Sequence, residues 1–144
     1  MKKTALLIVV VFSLYGYLEK NPDFIQSFAN QSATDDSVLS SAYQNRKSDI
    51  QVSGTGVVIR NLTDDTSGSR HQKFILKLSS GQTLLISHNI DLAPRINSLR
   101  KGDAVDFYGE YEWNSKGGLV HWTHHDPRGN HIGGWLKHNS ATYQ

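Results

Sequence analysis

The stretch DAVDFYGEYEW, residues 103–113, alternates apolar and polar side chains: Val105, Phe107, Tyr111 and Trp113 fall on one side, Asp106, Tyr108, Glu110 and Glu112 on the other. Period two marks a strand with one buried face and excludes a helix over these residues. The same period runs through DIQVSGTGVVIRNL (49–62), HQKFILKL (71–78), QTLLISHN (82–89) and GLVHWTHHD (118–126). Ser79, Ser80 and Gly81 form a short turn, and NSKGG (114–118) a second one. With a three-residue loop, Phe74, Leu76 and Leu78 share a face with Leu84, Ile86 and His88.

Five strands in meander-like order, with Gly54 and Gly56 marking a bend or bulge in the first, describe an all-β, OB-like antiparallel barrel over residues 49–144. Residues 91–103 form an irregular or briefly helical connector, which Pro94 prevents from becoming a long helix. LRKGDAVDFYGEY, entering the fourth strand, is a pattern that recurs in such barrels. The expected core is Val58, Phe74, Leu76, Ile86, Val105, Phe107, Val120 and Trp122.

Ahead of the barrel, Lys2 and Lys3 precede an apolar run from Ala5 to Leu18. A charged start and a short apolar run read as an export signal over residues 1–18, shorter than the ~20 residues of a spanning helix. Cleavage and retention as a signal anchor are both open, so the expected address is the periplasm or cell envelope, with an inner-membrane tether if uncleaved. Residues 19–35 read as a polar linker and 36–47 as a short helix. Thr34, Asp35 or Asp36 would cap that helix, and Val38, Leu39, Ala42 and Tyr43 would form its apolar stripe.

The chain has no cysteine, which excludes disulfides, thiolate zinc sites and lipoprotein acylation. From residue 50 onward ten Lys and Arg face eight Asp and Glu, a balance too even for non-specific phosphate binding.

Five of the seven histidines fall in VHWTHHDPRGNHIGGWLKH, residues 120–138. On a strand His121, Thr123 and His125 share the outer face, with His124 inward. Residues i and i+4 lie about 13 Å apart, so His121 and His125 cannot chelate one ion together. No cofactor is implied outright; zinc or another divalent metal would need His121, His124, Asp126 or His131 in some combination, and the spacing matches no compact zinc motif. A hydrogen-bonded cluster closing one barrel end, a metal site and acid–base use all remain open. HHDPRGNH contains His, Asn and His in order, but too closely spaced for an HNH nuclease element, and Gly133-Gly134 opposes the helix that element needs. Trp135 is expected to pack back onto the barrel and order residues 127–134.

DDTSGSRHQKF supplies Asp64, Asp65, Arg70 and His71, with Arg70 expected to staple Asp64 or Asp65 in a solvated turn. The hairpin would bring His71, His88 and Asp91 to one rim. Tyr108, between Asp106 and Glu110, is the outward aromatic best placed to stack on a ligand.

RHQKFILKLSSGQTLLISHNIDLAPRI and GDAVDFYGEYEWNSKGGLVHWTHHDPRGNHIGGWLKH resemble a family of small exported bacterial proteins known as a domain of unknown function. The resemblance covers residues 50–144 and implies no activity, only that the RHQ, HNIDLAPR and HWTHHDP runs belong to one architecture. Two functions compete. One is a non-enzymatic exported binding module, its rim built from Arg70, His71, His88, Asn89, Asp91, Arg95, His121, His124, His125 and Asp126. Its partner would be a small ligand, an oligosaccharide or an envelope protein; charge disfavours nucleic acid. The other is a metal-assisted hydrolase, nuclease-like or ester-cleaving, that uses the same His and Asp residues.

Overall fold

The computed structural model describes the backbone of residues 2–144, and side chains from residue 10 onward except those of Phe28 and Ser32. Met1 and the side chains of Lys2, Lys3 and the first apolar residues of the expected export signal lie outside the described residues. The elements are α1 (Lys2–Lys20), α2 (Pro22–Gln44), β1 (Ile50–Asn61), β2 (His71–Lys77), β3 (Thr83–Asn89), β4 (Ala104–Glu112), β5 (Leu119–His121), β6 (Trp135–His138) and β7 (Ala141–Tyr143). They form two compact units, Met1–Thr34 and Asp35–Gln144. Along α1 the side chains of Val10, Val11, Phe12, Leu14, Tyr15 and Tyr17 are exposed. Among the described residues no helix is long and apolar enough to cross a membrane.

The second unit is a five-stranded mixed barrel. Its strands follow the order β1-β2-β3-β5-β4, and β1 pairs with β4 to close the ring. All neighbours are antiparallel except β3 and β5, which run parallel with Leu85 opposite Leu119 and Ile86 opposite Val120. This corrects the all-antiparallel expectation. The connector after β3 carries the chain past the neighbouring position, so β4 pairs back onto β1, and β5, returning antiparallel to β4, fills the gap beside β3. Strand β1 is long enough to serve both partners, pairing with β4 over residues 50–57 and with β2 from Val57 to Asn61. Its irregularity falls between Val58 and Arg60, not at Gly54 or Gly56. Those glycines are needed for another reason: a Cβ on Gly54 would lie 2.6 Å from the Phe107 ring.

The inward residues are those of the period-two pattern. Val58, Phe74, Leu76, Ile86, Val105, Phe107 and Val120 are buried together with Leu78, Leu84 and Tyr111. The β2–β3 loop has the expected length, with Leu78 and Gln82 hydrogen bonded across Ser79, Ser80 and Gly81. Trp122 departs from the expectation. It takes a left-handed backbone, φ 53°, immediately after β5, so the alternation slips by one residue. Trp122 is therefore half-buried, and Thr123, expected outside, is fully buried.

The helix before the barrel starts well ahead of residue 36. Pro22 sits at its first position, where a missing N–H costs nothing, and Asp23 in its first turn suits the dipole. The segment read as a polar linker is thus helical from Pro22. Thr34 does not cap; its hydroxyl donates to the Asn30 carbonyl at 2.9 Å. Asp36 is buried and accepts from the Ser79 hydroxyl and, at 3.0 Å, from the Ser80 N–H, so it holds the β2–β3 turn. Leu39 and Ala42 enter the core while Val38 stays exposed. The helix stops in a Schellman motif: Lys47 N–H donates to the Ala42 carbonyl at 2.9 Å and Arg46 N–H to that of Tyr43 at 3.2 Å, with Arg46 at φ 49°.

Gly54→Ala should lower stability by about 1–3 kcal/mol through overpacking against Phe107. Chemical denaturation of that variant, and of Gly54→Ala with Phe107→Leu, measures this. The smaller residue at 107 should recover part of the loss, and strictly additive losses would contradict the contact.

Candidate functional site

Strands β5 and β6 lie along the same edge of β4. Glu110, Tyr111 and Glu112 oppose His121, Val120 and Leu119, while Asp106, Phe107 and Tyr108 oppose Lys137, Leu136 and Trp135. They are two halves of one broken strand, and residues 122–134 are looped out at the break. Gly109 sits opposite it, where a Cβ would lie 2.4 Å from the His121 carbonyl oxygen. Gly134 re-enters so closely that a Cβ would lie 2.1 Å from the Trp122 carbonyl oxygen, and its N–H donates to the His124 carbonyl at 3.0 Å.

Asp126 organises the loop. Its carboxylate accepts from the N–H groups of Arg128 (3.0 Å), Asn130 (2.7 Å) and His131 (2.9 Å), which holds its pKa below the ordinary value. It thereby serves as a backbone cap for the loop. His131 stacks on Trp122 with ring centroids 4.0 Å apart and planes within 8°. Its Nδ1 reaches the Ile132 carbonyl at 2.8 Å and its Nε2 the Glu110 carboxylate at 2.6 Å. Both partners accept, so the ring donates from both nitrogens. Burial opposes that charge, but these two bonds outweigh it and raise the His131 pKa. Trp135, on β6, packs on Tyr108 at 6.0 Å, so the loop is ordered chiefly by Asp126 and the Trp122–His131 stack. Tyr108, the expected free aromatic, is half-buried by that contact.

The expected rim separates into a wall and a support. His71 pairs with Asn89 across the hairpin, and both face outward. His88 faces the interior and is fully buried, which corrects its placement at the rim. Its Nε2 donates to the Pro94 carbonyl at 3.1 Å, and its Nδ1 therefore accepts from the Thr123 hydroxyl at 2.8 Å. Burial pushes its pKa from 6.5 to about 4, the Pro94 bond opposing and the neighbouring His124 and His71 assisting. His88 is a neutral strut between the connector and the looped-out segment. Buried Gln72 does similar work, its amide bonding both N–H and C=O of Ile96 at 2.9 Å.

Ion pairs fix the loops differently from the expected staple. Arg70 binds Asp91, by backbone N–H at 2.8 Å and by Nε at 2.6 Å. Asp64 takes Arg95 in a forked pair at 2.8 and 3.1 Å, and Asp65 takes Lys73 at 2.8 Å. Arg70, Asp91 and Arg95 thus brace the connector, and His125 is exposed apart from them. His138 donates from Nε2 to Asp103 at 2.7 Å, anchoring β6.

One cleft, of about 240 Å³, is lined by Ser69, His71, Ser87, Asn89, Leu92, His121, Trp122 and His124. It joins His71 to the histidine-rich segment across the outer ends of β2, β3 and β5. His71 donates Nδ1–H to the Ser69 carbonyl at 2.8 Å, and His124 donates its own to the His125 carbonyl at 2.6 Å. Burial lowers the His124 pKa, so that ring is neutral and its Nε2 is an acceptor. Glu110 and Glu112, not singled out as site residues from sequence, meet His121 at 3.3 and 3.5 Å. Their signal was present: two carboxylates at i and i+2 occupy the outward face of the strand that neighbours His121.

The unfolded His88 imidazole titrates near 6.5 and the folded one near 4, so the unfolded chain takes up the proton first as pH falls. Its contribution is complete above pH ~6.5 and is lost between there and about pH 4, roughly 3 kcal/mol in all. Denaturation series across this window should show a steeper pH dependence in the wild type than in His88→Leu. Equal slopes would contradict the buried neutral state.

No curated protein matches the chain. A family model does, that of the protein of unknown function DUF3465, over residues 23–144, from the start of α2 through the barrel to β7. The chain belongs to the DUF3465 family.

Proposed function

We propose that this protein is an exported binding module of OB type whose ligand occupies the cleft between His71 and His124. The strand order and the closure of β1 on β4 support the OB reading, in which the outer face of the second and third strands is the usual binding surface. The observation that carries the proposal is the cleft itself, where RHQ, HNIDLAPR and HWTHHDP converge. His124 presents an acceptor nitrogen because its N–H is already committed to a carbonyl, and His71 is held in the same way. Ser87 and Asn89 add a hydroxyl and an amide, and Leu92 an apolar edge. Acceptors beside an amide and a hydroxyl suit a neutral, hydroxyl-rich ligand, the sugar unit of an oligosaccharide. The two carboxylates below His121 disfavour a phosphate backbone.

Export rests on Lys2, Lys3 and the apolar run behind them. Fractionation of the native host should place the protein in the periplasm or envelope, and recovery in the cytosol would end that part of the proposal.

Titration of isotopically labelled protein with a panel of mono- and oligosaccharides should shift the amides of residues 69–71, 87–92 and 121–124. His71→Ala should abolish those shifts while leaving the melting temperature within a few degrees. A panel without effect, or shifts retained in His71→Ala, would overturn the assignment.

A further inference from the structure

Glu110 and Glu112 occupy the outward face of β4, one repeat apart, and His121 is directly opposite Glu110 on β5. The three side chains are half-buried, and each offers one ligand atom within 4.8 Å of the other two. Three other acidic residues of the barrel meet Arg or Lys, Asp64 with Arg95, Asp65 with Lys73 and Asp91 with Arg70, while Asp103 meets His138. Among the described residues, the ion pairs of Glu110 and Glu112 are with imidazoles alone. Asp49 brings a third carboxyl beside Glu112. Like charges have been gathered here without a fixed cation.

We propose that Glu110, Glu112 and His121 bind a divalent transition-metal ion of the zinc class. Zinc bonds to nitrogen and oxygen are about 2.0–2.2 Å long, so the edge of a tetrahedral donor set is roughly 3.3–3.6 Å. His121 Nε2 stands 3.3 Å from one Glu110 oxygen and 3.5 Å from one Glu112 oxygen, two such edges already in place. Calcium takes six to eight oxygens, which this set does not supply, and an imidazole donor favours zinc and its neighbours. Paired donors on adjacent strands of a closed barrel are held by the sheet rather than by a loop.

His131 is a positioning residue. It grips the second oxygen of Glu110 at 2.6 Å and is itself fixed by the Trp122 stack and the Asp126 cap. A ligating carboxylate oriented by a hydrogen bond from a neighbour is the usual support of a metal site. Three protein ligands leave a position open, as in catalytic rather than structural zinc sites. His121 also lines the cleft, so the metal site and the cleft share that side chain.

This inference does not depend on the sugar reading, and the two share only His121. Calorimetric titration of chelator-treated full-length protein with zinc chloride should show one site per chain. Cobalt(II) substitution should give the intense visible absorption of a four- or five-coordinate ion. Glu112→Gln and His121→Ala should each weaken zinc binding at least tenfold, with His125→Ala unchanged. His131→Ala should weaken it roughly ten- to a hundredfold. Circular dichroism melts of the metal-free variants show that each is folded. No zinc binding to the wild type, or stoichiometric binding undiminished in folded Glu112→Gln and His121→Ala, would overturn the site. Sugar-induced shifts should persist in Glu112→Gln, so failure of either proposal is read separately.

Discussion

The break in the strand beside β4 is the constraint on which the site depends. An unbroken strand from Leu119 would have continued the ladder past Gly109, covering it with one more residue and leaving no loop. Instead Trp122 turns into the left-handed region, and the ladder resumes only at Trp135. Leaving the sheet exposes backbone donors and acceptors that must find partners. The loop meets that demand locally, through three N–H groups on Asp126 and the Gly134 N–H on His124. The glycines at 109 and 134 let two backbones approach more closely than any Cβ would permit, so the excursion leaves and returns through a gap one residue wide.

The histidines then divide by the groups around them. His88, sealed inside, is neutral and structural; His124, nearly as buried, is neutral but faces the cleft. His131, stacked on an aromatic ring and bonded to a carboxylate, is driven the other way. In water these three imidazoles would titrate alike, and so would Glu110 and Glu112. Here Glu110 is held below its ordinary value because the His131 and Glu112 hydrogen bonds outweigh burial, while burial and neighbouring carboxyls push Glu112 above its own. Environment separates chemically identical groups, and the separation follows from the strand break that brings residue 131 to residue 110.

The parts of this architecture legible in the sequence are those with local period. Phe74, Leu76 and Leu78 opposite Leu84, Ile86 and His88 follow from alternation and turn length alone, and so does the inward face of β4. Strand order is not local, so nothing in GLVHW says that Val120 will lie parallel to Ile86. The slip at Trp122 was invisible for a related reason. A non-glycine residue at positive φ carries no sequence mark, and it reverses which of Trp122 and Thr123 is buried. The long helix did carry a mark in Asn-Pro-Asp at residues 21–23, masked by the polar, Ser- and Asn-rich turns that follow.

The residues of the proposed cleft and metal site were unevenly legible for the same cause. Histidine is rare enough to be noticed, so His71, His121 and His124 stood out, whereas Glu110 and Glu112 read as the solvated side of a strand. A carboxylate becomes informative only when its neighbour across the sheet is known, and that neighbour is set by register. Once Glu110 is paired with His121, the outward face of β4 ceases to be generic polar surface. It becomes the floor of the proposed site, whose wall is the looped-out segment, with the buried His88–Thr123 hydrogen bond tying that wall to the connector behind it. The RHQ, HNIDLAPR and HWTHHDP runs each supply the cleft and its support: His71 beside Gln72, Asn89 and Leu92 beside His88, and His124 beside Thr123.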